Sequence, residues 1–223
     1  LPWKIYRGDP MWVPPLIFDM KNRILKKRNP YFEHAEAEYF IAYRGSEPVG
    51  RITAQVDKHY DMHWGPGTGQ FGWFESQNEP AVAKALFQAA ADWLKRRDRQ
   101  RMQGPYNFNI NDECGLLVDG FDTPPMILMT HNPQYYPRLF EEHGFYKAQD
   151  LYAYRMDAAA DAPEDVKNYA EHIRHKEGVM IREWNKKDFK REMEKFREVY
   201  NEAWEQNWGS VRLTDKELRA HEL

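Results

Sequence analysis

Apolar and polar positions along this chain switch between two periods, and the switches mark its elements. EYFIAYR (38–44) and PVGRITAQVDKHY (48–60) alternate as strands do, and Gly45-Ser46-Glu47 between them suits a hairpin. Residues 61–68 read as a Gly-rich turn into GQFGWFES (69–76), a short aromatic strand with small residues interleaved. In AVAKALFQAAADWLKRRD (81–98) the period becomes helical, with Val82, Ala85, Leu86, Ala89, Trp93 and Leu94 on one face. Asn78 suits its cap, Pro80 its first turn, and Lys95, Arg96 and Arg97 its C-terminal dipole. RMQGPYNFNI (101–110) is a further strand running into a polar loop. HNPQYYPRLFEEHGFYKAQDLYAYRMD (131–157) reads as a helix, a Gly144-Phe145 stop and a last strand. The pattern predicts an α/β (α+β) mixed sheet with strands near 38–44, 48–58, 69–76, 101–108 and 147–156. The first three should be antiparallel. The 69–76 strand should run parallel to 101–108, because a helix crossover joins parallel neighbours.

The flanks carry less regular signals. Residues 1–16 suggest a short helix and an extended run at Pro14-Pro15, and 19–28 a basic helix stopped at Asn29-Pro30. Some twenty residues before position 131, including NDECGLLVDGFDTPP (111–125), show little pattern, and long loops in compact domains are often functional. The organisation expected is a domain over 1–157, a linker with a connecting helix over 158–177, and a new start over 178–223. That last part should hold a strand at GVMIREW (178–184), an apolar helix face with Phe189, Met193, Phe196, Tyr200 and Trp204, and a short helix capped by Thr214. Each such large side chain costs about 1.5–3 kcal/mol to leave in water. The tail should therefore dock on 1–157, pack in a homodimer, or cover an open site.

Composition narrows the function classes. The 223 residues hold 32 basic and 35 acidic side chains, a net charge of -3, which gives no support for a nucleic-acid binder. Cys114 is the sole cysteine, so no internal disulfide framework exists, and a reducing, cytoplasmic setting is expected. Apolar runs are much shorter than the ~20 residues of a membrane helix, and no signal peptide opens the chain, so no membrane association is expected. The sequence begins at Leu1, as a fragment or a processed form would.

WVPPL (12–16), PVGRI (48–52), FGWFES (71–76), GPYNFNINDECGLLVDGFDTPP (104–125), NPQYY (132–136) and AWEQNWG (203–209) resemble the GNAT superfamily of acyl-CoA-dependent N-acyltransferases, in particular a bacterial tandem-repeat group. The resemblance implies a central sheet splayed between its fourth and fifth strands, here 69–76 and 101–108. Acetyl-CoA or another acyl-CoA would lie in the splay as co-substrate, its pantetheine against the backbone of Phe71, Gly72, Trp73 and Phe74, with Asn132 nearby. It also implies truncation: a first strand before Leu1, and only the opening of a second repeat in 178–223.

Two activities follow as expectations. One is acyl transfer, in which a small-molecule or peptide amine attacks the thioester directly. The other is a catalytically degenerate GNAT-like module that binds a ligand or a partner domain. Glu75, at the end of the fourth strand, reads equally as the base for the amine or as a solvent-facing carboxylate. Phe140 occupies the place where relatives carry a proton-donating Tyr. Tyr135 and Tyr136, a turn earlier, can stand in for it or serve as core aromatics. Asn107, Asn109, Asn111, Asp112 and Glu113 are candidates to orient the amine, or else satisfy the backbone of the long loop. The turn Ser76-Gln77-Asn78-Glu79-Pro80 lacks the glycines of a phosphate cradle, and Glu79 would repel phosphate. Gly67, Gly69 and Gly72 match a dinucleotide motif literally, but they enter a strand instead of leaving one. His34, His59, His63 and His131 lack ligand spacing, so no metal is expected. Cys114 has no neighbouring base and reads as a small buried residue.

Overall fold

The computed structural model describes residues 1–157, 159–176 and 182–220. It divides into two units, Leu1–Lys147 with Arg197–Leu223, and Ala148–Phe196. The first holds a four-stranded mixed sheet flanked by helices, in the order β1 (Ala35–Arg44), β2 (Glu47–Asp57), β3 (Thr68–Ser76) and β4 (Arg101–Gln103). Neighbours β1, β2 and β3 are antiparallel and β3 and β4 parallel, the order that the hairpin and crossover signals predicted. Gly45 makes the first turn at φ +59°, where a side chain would be strained. The helices are α1 (Pro2–Ile5), α2 (Ile17–Ile24), α3 (Lys58–Trp64), α4 (Pro80–Lys95), α5 (Tyr136–Glu141) and α8 (Asp215–Ala220). α7 (Phe189–Trp204) begins in the second unit, and its residues from Arg197 on belong to the first.

The apolar face of α4 became the lid of the main core. Val82, Leu86, Phe87, Trp93 and Leu94 pack on Val49, Ile52, Phe71 and Phe74 of the sheet, with Tyr136, Leu139 and Phe140 of α5 closing one end. All nine residues of β3 are buried. Where β3 passes Trp73 the register with β2 shifts, and Trp73 takes φ +50°. This bulge leaves Trp73 in a second, smaller cluster with Tyr31, Ala37 and Phe108.

β3 and β4 part after three pairs, Thr68–Arg101, Gly69–Met102 and Gln70–Gln103. Two glycines form the neck of this fork. A Cβ on Gly72 would lie 1.6 Å from the carbonyl oxygen of Tyr106, and one on Gly104 would lie 2.3 Å from that of Phe71. Tyr106 N–H donates to Phe71 O at 2.7 Å, and beyond that bond the main chains separate.

Several expectations need correction. The strand expected over 101–108 stops at Gln103, because Pro105 has no N–H to continue a ladder and Asn109 turns the chain by accepting from Asn111 N–H. Residues 147–156 form no strand: they join no described sheet ladder, and Leu151, Tyr152, Tyr154 and Met156 are exposed. Of the strand expected over 178–184, residues 178–181 lie outside the described residues, and 182–184 are irregular. The expected turn over 61–68 and the end of the 48–60 strand contain α3 instead. Asp57 caps α3 by accepting from His59 N–H, and Gly65 ends it at φ +86°. The helix expected from 131 begins at Tyr136. The cap residue of α4 is Glu79, while Asn78 accepts from Arg138.

The second unit carries α6 (Glu164–His175), where a connecting helix was expected, and the first turns of α7. Arg182 and Glu192 form an ion pair within it at 2.7 Å.

The fork neck makes a sharp prediction. Gly72→Ala should destabilise the first unit by about 3 kcal/mol or more, since a backbone carbonyl must move to admit the methyl. Gly8→Ala, at φ +88° with open space around it, should cost only about 1 kcal/mol of strain. Urea titrations of both variants check the order, and equal midpoints would contradict it.

Candidate active site

Beyond the fork lies a solvent-open cleft with a cavity of about 150 Å3. One wall is the end of β3, with Trp73, Phe74 and Glu75. The other is the departing chain, with Pro105, Asn107 and Glu113. Residues 2–20 and 115–132 complete it, contributing Tyr6, Trp12, Val13, Leu116, Met129 and His131 among others.

Glu75 is the carboxylate of this cleft. Its strand must be buried to carry the sheet, so the side chain is taken out of water as well. Tyr136 Oη donates to Glu75 Oε2 at 2.7 Å, and Arg51 from β2 approaches Oε1 at 3.4 Å. The Tyr6 hydroxyl donates to the backbone oxygen of His131 at 3.3 Å and is near enough to Glu75 to stabilise its charged form. Burial pushes the Glu75 carboxyl above its usual range, and Arg51, Tyr136 and Tyr6 hold back only part of that rise. The same burial, with Glu75 beside it, raises the Tyr136 hydroxyl well above 10.

The two tyrosines weighed as proton donors are both occupied. Tyr135 Oη donates to Ser76 O at 2.7 Å, and Tyr136 accepts from Ser76 N–H at 3.0 Å while donating to Glu75. They clamp the end of β3, so Tyr136 positions Glu75. Phe71 lies fully within the core and offers only its backbone, and Gly72 is the neck. Trp73 N–H donates to Asn107 Oδ1 at 2.7 Å, so Asn107 bridges the two walls. Asn132 lines the cleft but caps no helix. It exchanges hydrogen bonds with Leu117 and fixes the long loop.

The polar cluster expected on one strand face is split. Asn107 stays in the cleft, donating to Glu113 Oε2 at 2.9 Å. Arg23 of α2 gathers Glu113 and Asp112, each at 3.1 Å, and lies over the Trp73 ring. Asn109 lies buried in a separate small cavity with Tyr106 and Val211. Asn111 turns away, donating to Val211 O and accepting from Tyr200. Alternation put these residues together, and the end of β4 at Gln103 removes the alternation.

The sequence alone did not select Tyr6, Arg51, Asp9 and His131. Asp9 pairs with His131 across 122 positions, at 2.8 Å. Nothing local signals that pairing, and His131 was weighed only as a metal ligand.

A second polar cluster lies where β2 ends. His34 donates from Nδ1 to Asp57 at 2.9 Å and from Nε2 to Glu217 of α8 at 3.1 Å. The His59 ring stacks on it, 3.9 Å away. Among the described residues, His34, Asp57 and His59 are the group close enough to share a cation. Both His34 nitrogens already face carboxylates, and the stacked rings do not converge on one point, so the arrangement fits an imidazolium clamp. Burial lowers the His34 pKa, but bonds to Asp57 and Glu217 outweigh it and hold it at about 9. Although α3 puts His59 and His63 on one helix, His63 binds Glu205 O instead.

Over 220 residues the chain is 41% identical to the bacterial ceramide synthase of Caulobacter vibrioides, an alignment covering 98% of this chain and 57% of that protein. Over 218 residues it is 38% identical to protein YghO of Escherichia coli, covering 97% of this chain and 55% of that protein. The chain thus spans a little over half the length of these curated relatives. No protein-family model matches it. No solved structure matches it either. No helix of the described residues is long and apolar enough to cross a membrane.

The His34 clamp sets a pH dependence. Its folded pKa lies above the ordinary 6.5, so its contribution is complete below about pH 6.5 and fades as pH rises through about 9. Glu217 is shifted the other way: burial opposes, and His34 and Thr214 outweigh it to lower its pKa. Its contribution is present above about pH 4.5 and lost on acidification. The stability difference between the wild type and His34→Gln should therefore be largest near pH 5–6.5 and shrink toward pH 9. Urea midpoints measured across that range check it.

Proposed function

We propose that this chain carries the acyl-transfer site of an acyl-CoA-dependent N-acyltransferase with the GNAT type of fold, whose acceptor is a long-chain amino alcohol. The observation carrying this reading is the forked sheet with a buried, tyrosine-held carboxylate at the end of its inner wall. The relative named a ceramide synthase supports it, because a ceramide is by definition a fatty amide of a long-chain amino alcohol. Trp12, Val13, Leu116 and Met129 give the cleft apolar walls suited to hydrocarbon chains.

In this reading the acyl thioester lies between β3 and residues 104–107, and the amine meets it near Glu75. Nitrogen must lose protons as the amide forms. Glu75, raised by burial toward the working pH, accepts one from the attacking amine. Tyr136 fixes the carboxylate in one orientation, which holds the reacting groups at near-attack distance. Asn107 is a neutral amide between the walls, able to donate to the acyl carbonyl if it exchanges its bond to Glu113.

One observation favours a second reading, a module that binds without turnover. The start of α4 offers no phosphate cradle. Val82 and Ala83 N–H both donate to Glu79 O, and the Glu79 carboxylate pairs with Arg44. Turnover separates the two readings. The intact protein should release free thiol from a C16 acyl-CoA and form the corresponding amide with a C18 2-amino-1,3-diol. Glu75→Gln should lower kcat by about 100-fold or more, the usual contribution of a general base, while acyl-CoA affinity measured by calorimetry stays within about threefold. Tyr136→Phe should lower kcat by about 10-fold through lost positioning. Acyl-CoA binding without any amide product would favour the module.

A further inference from the structure

The geometry points to a second proton-transfer group in this cleft: His131, oriented by Asp9. This rests on the acyl-transfer reading and assigns the remaining proton. His131 lines the cleft, and its side chain is only 5% exposed. Its Nε2 lies 2.8 Å from Asp9 Oδ2, while its Nδ1 is buried with no hydrogen-bond partner among the described residues. The Asp9 carboxyl is held below its usual range: burial raises it, but the bond from His131 and the N–H groups of Met11 and Trp12 outweigh that. An ionised Asp9 can only accept, so Nε2 must carry the hydrogen. In the neutral ring the lone pair then falls on Nδ1, the nitrogen without a partner. An ordinary buried histidine would satisfy both nitrogens, because an unpaired polar atom out of water is costly.

The position fits the chemistry. The Tyr6 hydroxyl donates to the backbone oxygen of His131 at 3.3 Å, its ring lies 6.0 Å from the His131 imidazole, and Glu75 and His131 line the same cleft. A primary amine reaches the site as its ammonium form, and amide formation removes two protons from nitrogen. His131 Nδ1 takes the first, freeing the lone pair that attacks the thioester carbon. Glu75 takes the second as the tetrahedral intermediate forms. As the C–S bond breaks, the electron pair leaves with sulfur; one of the two protons passes to the thiolate and the other to solvent. Two acceptors balance two protons, which Glu75 alone does not. Asp9 acts through His131 and is a positioning residue.

The test uses the intact protein with a C16 acyl-CoA and a C18 2-amino-1,3-diol. His131→Ala should lower kcat/KM by about 100-fold, with acyl-CoA affinity unchanged, and added imidazole should restore part of the rate. Asp9→Asn, which keeps shape and permits the wrong tautomer, should lower kcat at least 10-fold at unchanged KM, and imidazole should not rescue it. Nitrogen-15 NMR of the free protein should show the His131 hydrogen on Nε2. A hydrogen on Nδ1, or an active wild type beside His131→Ala and Asp9→Asn variants within threefold of it, would overturn the dyad alone. If His131→Ala does not fold, Asp9→Asn and the tautomer decide. A wild type that forms no amide would overturn the acyl-transfer reading and the role of the dyad together.

Discussion

An ionisable carboxylate at the end of a fully buried strand is the constraint around which this cleft is arranged. All nine positions of β3 are out of water, so Glu75 cannot rely on solvent. Bare burial of a charge is prohibitive, and the structure answers with groups from three distant places. Arg51 comes from β2, Tyr136 from α5 and Tyr6 from the segment after α1. These contacts join the N-terminal residues, the sheet and α5 at one point. They offset only part of the desolvation, and the residue left over is what makes Glu75 basic. Stability and, in the proposed reaction, reactivity are therefore set by the same balance.

The N-terminal segment and the long loop owe their order to the same region. Tyr6 stacks on Trp12, and Asp9 reaches His131, so residues 6–12 are laid against the loop that follows the fork. Asn132 then holds that loop from its far end through both polar atoms of Leu117. On the other side Arg23 collects Asp112 and Glu113 and covers the Trp73 ring. A loop of this length would otherwise have little to restrain it. Here charged and amide side chains supply the restraint that secondary structure does not.

How much of this could be read from the sequence depended on the range of the interaction. Periodicity is local, so β1, β2, β3 and α4 were legible, as was the parallel return into β4. The fork glycines were visible as residues, but their reason was not: Gly72 is needed by a carbonyl thirty-four positions away. The over-long reading of β4 had a physical source, since alternation at Asn107, Asn109 and Asn111 mimics a strand where asparagines instead bond to their own backbone. Likewise α3 hid inside a strand-like run, because the cap that starts it, Asp57, is also the last residue of β2. Glu75 was legible from its place at a strand end. Its partners Tyr6 and Arg51, and the pair Asp9–His131, come from separations no local pattern spans.

The neck of the fork has a consequence for how such a site can change. At Gly72 and Gly104 one main chain rests directly on another, so the width of the gap is fixed by backbone atoms. The walls farther out are made of side chains such as Val13, Leu116 and Met129, which do not set that width. Replacing them would lengthen, shorten or reshape the outer cleft without moving the two sides of the neck relative to each other. In the proposed reaction, selectivity and chemistry would thus be mechanically uncoupled, so that substrate range could drift over generations while the register of the reaction is inherited intact.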